Sequence, residues 1–151
     1  YTHMEQTMFQ EMGTYIRGEL GARQLILGSA DFYPSPLSSG LPAALANTVL
    51  DLTDSHFYWQ HPYNDRIENT PMVDAPDHNA IAHISRSAVE GFPHLCSELN
   101  EPFPNDTAEE FIPILAAYAR LQDWDGMFFY DYHPWPGPYW REDAWAENFQ
   151  H

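Results

Sequence analysis

Pro93-His-Leu-Cys-Ser-Glu98-Leu-Asn-Glu101-Pro102 decides the reading of this chain. Phe92 to Glu98 is a short apolar run of strand length, and it delivers a carboxylate to the strand's C-terminal end. In α/β proteins the carboxyl ends of parallel strands carry the chemistry. Aromatic and His-rich segments lie on both sides of Glu98 in sequence. A carboxylate so placed is suited to attack an electrophilic carbon, an anomeric centre above all.

Working outward, apolar residues Met4, Met8, Phe9, Met12, Tyr15, Ile16 and Leu20 recur at helical spacing, and Gly21 suits the position just past the helix end. Gln24 to Gly28 reads as a first strand, followed by a Pro/Ser/Gly loop to Gly40 and an Ala-rich helix over Leu41 to Leu50. Asp51 to Trp59 is a second strand, with His56 and Tyr58 on one face and Phe57 and Trp59 on the other. A loop with three prolines precedes a helix over Asn79 to Val89, and the Glu98 strand is third. Asn105-Asp106-Thr107 offers capping chemistry for a helix running to about Gln122, with Phe111, Ile114, Leu115, Tyr118 and Leu121 as its buried stripe. Gly126 to Tyr130 is the fourth strand, and a Trp/Pro/Tyr-rich tail follows. Alternation at this spacing implies parallel strands joined by right-handed crossovers. Four such strands suit a doubly wound sheet or half of an eight-stranded barrel, and no Gly-rich phosphate loop favours the former.

Composition narrows the function. With 44% hydrophobic and 19% charged residues in 151, one ordinary core is expected and global disorder is not. The six basic residues are all Arg, against 22 acidic ones, for a net charge of −16. Such a field repels phosphate backbones, so no nucleic-acid partner is expected. No apolar run reaches the roughly 20 residues that span a bilayer, so no membrane partner is expected either. Cys96 is the single cysteine and leaves the redox compartment open. Tyr1-Thr-His-Met-Glu lacks the charged start and apolar core of a signal peptide, and no initiator Met stands there. The start reads as that of a partial chain, so the compartment stays open, with secretion or a periplasmic setting among the options.

Three stretches carry a family resemblance: Asp51-Leu-Thr-Asp-Ser-His56-Phe-Tyr58-Trp59-Gln-His61-Pro62, then Ser97-Glu98-Leu-Asn100, then Tyr118-Ala-Arg-Leu-Gln-Asp-Trp124-Asp-Gly-Met-Phe-Phe-Tyr130. In order and spacing they resemble the second half of the TIM-barrel glycoside hydrolases of clan A, the cellulase and β-galactosidase superfamily. The resemblance implies an α/β fold, a (β/α)8 barrel of which residues 1–151 supply roughly strands five to eight, as the C-terminal half of one catalytic domain. It implies a retaining hydrolase of β-linked glycosides or polysaccharides that needs no cofactor and no metal. Glu98 maps onto the nucleophile at the end of strand seven, and His56 and Tyr58 onto its supports at the end of strand six. The acid/base Glu at the end of strand four would lie upstream of Tyr1, so an N-terminal half of the same barrel is the expected partner, beside the carbohydrate substrate. Strand eight usually ends in a Trp that stacks on sugar; Tyr130 and Tyr132 occupy that region here, with Trp135 the nearest Trp downstream.

Asn100-Glu101-Pro102 resembles the strand-four motif of the same clan, and on that reading Glu101 would be the acid/base. The His-Phe-Tyr-Trp strand upstream fits strand six better than strand three, which favours Glu98 as nucleophile. The substrate-facing set is then His56, Tyr58, His61, Asn100, Tyr130, Tyr132 and Trp135, with Tyr58 or Asn100 expected to donate hydrogen bonds to Glu98. Trp59, Trp124, Phe128 and Phe129 are expected in the packing. Cys96, two residues from Glu98, is expected to share its face as a small apolar filler rather than serve as a nucleophile. Eight histidines invite a metal reading, but no HExxH or paired-ligand spacing occurs. Two alternatives remain: a non-catalytic carbohydrate-binding or structural half barrel, and a metal-dependent hydrolase on the same fold.

Overall fold

The computed structural model describes residues 1–31, 39–60, 68–101 and 105–130. Seven regular elements follow one another: α1 (Thr2–Gly18), α2 (Leu41–Asn47), β1 (Thr53–Tyr58), α3 (Ala80–Ser85), β2 (His94–Asn100), α4 (Phe111–Gln122) and β3 (Gly126–Phe129). Short 3-10 turns at Met72–Asp74 and Ala108–Glu110 punctuate the loops. The strands form one parallel sheet in the order β1-β2-β3, so this is a small α/β fold with helices in both crossovers. No described helix is long and apolar enough to cross a membrane.

Each crossover has a local cause. Asn79 caps α3 by accepting the Ala82 N–H at 3.1 Å, which satisfies one of the free donors of the first turn. At the other end of α4, Asp123 takes a left-handed conformation (φ 57°) and the Trp124 N–H returns to the Ala119 carbonyl. Thr107, expected to cap this helix, turns its hydroxyl to Glu101 instead. Phe111 and Leu115 carry the buried stripe of α4, each side chain's burial worth roughly 1.5–3 kcal/mol. Tyr118 and Leu121, which share the apolar spacing, are exposed, so the stripe is shorter than the sequence implies.

The core lies on one side of the sheet. Phe57, Trp59, Cys96 and Leu99 meet Ile84 of α3 and Phe111 and Leu115 of α4, with Met72 and Trp124 closing its ends. Phe57 stacks with Trp59 and with Phe111 at ring separations of 6.4 and 6.3 Å. His94 is buried on this side too, its Nδ1 2.8 Å from the Thr53 hydroxyl. Burial lowers its proton affinity, with Asp54 and Asp125 opposing that effect. Phe128 and Phe129, expected in the core, are exposed on the edge strand β3.

The expected first strand, Gln24 to Gly28, is not a regular strand. Its backbone is met mostly by side chains, and the Ile26 carbonyl accepts the Asp51 N–H at 3.1 Å. Asn47, buried at the end of α2, accepts the Gly28 N–H and donates to the Ser29 carbonyl, both at 2.8 Å. Asp51 accepts the Ile26 N–H at 2.6 Å and is ion-paired with Arg17. Gly28 sits so close to the Phe9 ring and Asn47 that a Cβ would approach both within 2.6 Å. Regular pairing resumes only at Asp31, which bridges Ser55 in parallel on the free side of β1. Leu25, read as a strand residue, is 77% exposed.

Candidate active site

Asp54, His56 and Tyr58 alternate onto the face of β1 opposite the helices. On β2 the alternation breaks. Ser55 pairs with Cys96 but His56 pairs with Glu98, and toward β3 the register slips across the same stretch. The extra residue is a β-bulge, which bends a strand and re-aims its side chains. Cys96 and Leu99 therefore both face the helical core, while Ser97 and Glu98 both face away from it. The expectation that Cys96 shares the face of Glu98 is thus corrected by one inserted residue. Burial pushes the Cys96 thiol up to about 12, so it is no nucleophile.

The bulge brings three of the sequence candidates together. The Tyr58 hydroxyl donates a hydrogen bond to Glu98 Oε1. His56 Nδ1 lies 3.4 Å from Glu98 Oε2, and the Glu98 side chain keeps 31% exposure. Behind them, Asp54 accepts the Ser97 N–H at 2.9 Å and the Ser97 hydroxyl at 2.6 Å. His56 Nε2 is 3.0 Å from the Ser97 hydroxyl and 3.7 Å from Asp54. Asp54 and Ser97 were not read as site residues. The parity of Asp54 with His56 and Tyr58 was available in the sequence; the bulge that exposes Ser97 to them was not.

Other candidates lie elsewhere. Asn100 donates from Nδ2 to the Tyr130 carbonyl at 3.1 Å and accepts the Glu101 N–H at 2.9 Å, so it ties the ends of β2 and β3 rather than bonding Glu98. Tyr130 stands just past β3 with its side chain partly in solvent. His61, Tyr132 and Trp135 lie outside the described residues. Trp59 is packed in the core, its indole N–H bonded to the Thr70 carbonyl at 2.9 Å.

Glu101 occupies a different environment from Glu98. It is 5% exposed, Thr107 donates to its Oε1 at 3.4 Å, and its Oε2 has no hydrogen-bond partner among the described residues. Burial, then the neighbouring charges of Glu110 and Glu109, push its carboxyl up to about 7 against the weaker pull of Thr107. Its hydrogen bonds run to the α4 side and none runs to Glu98, His56 or Tyr58.

Among the described residues no three His, Cys, Asp or Glu side chains are disposed to hold a metal ion. A cavity of about 580 Å³ opens at the N-terminal ends of β2 and β3, lined by Phe92, His94, Trp124 and Asp125, at the opposite end of the strands from Glu98. Cavity size and chemistry therefore point to different places. The hydrogen-bonded carboxylate is the stronger signal, because several groups converge on it. No protein-family model matches the chain, and neither does any curated protein or solved structure.

Proposed function

We propose that the chain is the C-terminal half of a (β/α)8 glycoside hydrolase barrel and that Glu98 is the nucleophile of a retaining mechanism on β-linked glycosides. The observation that carries this reading is the convergence of the Tyr58 hydroxyl and His56 Nδ1 on the two oxygens of Glu98 at a bulged strand end. A hydroxyl donor at one oxygen fixes the direction in which the carboxylate presents its lone pairs. The sheet supports the barrel part of the reading. Its strands run in sequential order without a switch point, and α3 and α4 pack against each other, as same-handed crossovers in a barrel require. Exposed Leu25 on one side and Phe128 and Phe129 on the other suit further strands at both edges.

In this scheme Glu98 attacks the anomeric carbon and the glycosidic C–O bond breaks. The departing oxygen takes a proton from a second carboxyl contributed by the other half of the barrel. Water, deprotonated by that same carboxyl, then cleaves the glycosyl ester and returns Glu98 to its ionised form. The two carboxyls need a separation of about 5–5.5 Å for this course. Tyr58 and His56 hold Glu98 throughout, and aromatic side chains beyond the strand ends supply flat surfaces for sugar rings. The test is the stereochemistry of hydrolysis: proton NMR of the first product from an aryl β-glycoside shows the β-anomer if the reading is right. The α-anomer, or no hydrolysis of any β-glycoside by the complete barrel, refutes it.

A further inference from the structure

Glu98 meets His56 and Tyr58 because β2 carries one residue more than its neighbours, and an extra residue lacks a place in the ladder. A side chain supplies what the ladder cannot. Asp54 Oδ1 accepts the Ser97 N–H at 2.9 Å while Oδ2 accepts the Ser97 hydroxyl at 2.6 Å. The Asp54 side chain is only 2% exposed. A buried carboxylate is costly unless donors such as these reach both oxygens, so its presence on this face calls for a role.

The donors and acceptors then fix a proton. A serine hydroxyl has one hydrogen and two lone pairs, and an ionised carboxylate can only accept. Ser97 gives its hydrogen to Asp54. Toward His56 Nε2, 3.0 Å away, the same oxygen is left as an acceptor, so Nε2 is the donor. Nδ1 then lies 3.4 Å from Glu98 Oε2. The titratable side chains around the ring, among the described residues, are Asp54 and Tyr58 of β1 and Glu98 of β2. From the helix side, His83 of α3 meets the His56 backbone.

We propose that Asp54 and Ser97 are positioning residues: together they pin the bulge that aims Glu98, and they hold the His56 proton on Nε2 so that Nδ1 turns toward Glu98. The assignment of a catalytic benefit to this arrangement rests on Glu98 being the nucleophile; the proton assignment does not. Both residues act through the bulge and His56, so their loss acts on turnover rather than on substrate binding.

The test pairs nitrogen-15 NMR of the His56 ring with kinetics on aryl β-glycosides, using the complete barrel and its Ser97→Ala, Ser97→Thr and Asp54→Asn variants. Expected is a protonated Nε2 in the parent and in Ser97→Thr, and loss of that fixed state in Ser97→Ala. Turnover is expected to fall roughly 10- to 100-fold in Ser97→Ala with KM little changed, and to recover in Ser97→Thr. If Asp54→Asn fails to fold, the alanine and threonine pair at Ser97 still decides. A His56 ring whose Nε2 proton is indifferent to Ser97→Ala overturns the proposal, as does an unchanged turnover number. An Nε2 proton that behaves as expected in a protein that hydrolyses no glycoside supports the positioning role and refutes the nucleophile.

Discussion

His56 Nδ1 lies 3.4 Å from Glu98 Oε2, across two strands and on the face of the sheet turned away from the helices. Forty-two positions separate the two residues in the chain. The contact exists because β1 and β2 are parallel neighbours and because a bulge in β2 turns Glu98 onto the side of His56. The Tyr58 hydroxyl, two residues along β1, reaches the other carboxylate oxygen. A carboxylate held at both oxygens is a positioned group, and its remaining exposure lies toward solvent.

Tyr58→Phe removes the donor to Glu98 and leaves the ring. A hydrogen bond to a charged group is worth about 1.5–3 kcal/mol, so turnover should fall roughly 10- to 100-fold. Stability should change little, since the Phe ring fills the same space. Steady-state kinetics beside a thermal melt checks both; a variant with full activity contradicts the role given to the hydroxyl.

Glu101 gives the stability curve a defined slope. Its carboxyl is pushed from about 4.5 in the unfolded chain up to about 7 in the fold, so the folded state binds the extra proton between those values. This contribution is fully present below about pH 4.5 and is lost as pH rises through about 7. Glu101→Gln, which cannot ionise, should match the parent near pH 4.5 and exceed it above pH 7 by roughly 1–3 kcal/mol. Urea unfolding at several pH values measures the difference. A difference that does not vary with pH excludes this environment for Glu101.

Arg86 holds Asp31, which is 1% exposed, through Nε at 2.8 Å and Nη2 at 3.0 Å, with Ser87 adding a third donor. Burial alone would raise the Asp31 carboxyl; Arg86, Ser87 and the Gly40 backbone more than offset it. Arg86→Ala leaves a buried carboxylate without its partner and should cost about 3–5 kcal/mol of unfolding free energy. Arg86→Lys keeps the charge and loses the two-pronged geometry, so it should fall between. Chemical denaturation of the three proteins ranks them; an Arg86→Ala protein as stable as the parent removes this anchor from the account.

Cys96 offers a check on the bulge that needs no substrate. Its thiol is fully buried and pushed up to about 12, facing the helical core. A thiol reagent at pH 8 should leave it unmodified in the folded protein and react fully in denaturant. Rapid labelling of the native chain would place Cys96 on the open face and would undo the register described for β2.

Much of this arrangement was legible in the residues. Parallel strands joined by helices followed from alternating apolar runs, and the shared face of His56 and Tyr58 followed from period-2 spacing. The rest was hidden for physical reasons. Leu25-Ile-Leu27 has strand composition, but Asn47 and Asp51 satisfy the backbone at Ile26, Gly28 and Ser29 in place of a neighbouring strand. Ser97 came into the site through an inserted ladder position, which leaves no mark in composition or periodicity. Tyr118, Leu121 and Phe128 fit apolar patterns, yet a pattern does not say what covers it, and in the described fold all three stay exposed.

The most direct measurement is covalent trapping. A 2-deoxy-2-fluoro glycoside with a good leaving group slows breakdown of a glycosyl ester more than its formation, so the intermediate accumulates on the nucleophile. With the complete barrel, peptide mass spectrometry should find the label on Glu98 and no label on a Glu98→Gln protein. A label on Glu101, or hydrolysis at an undiminished rate after Glu98→Gln, would contradict the account.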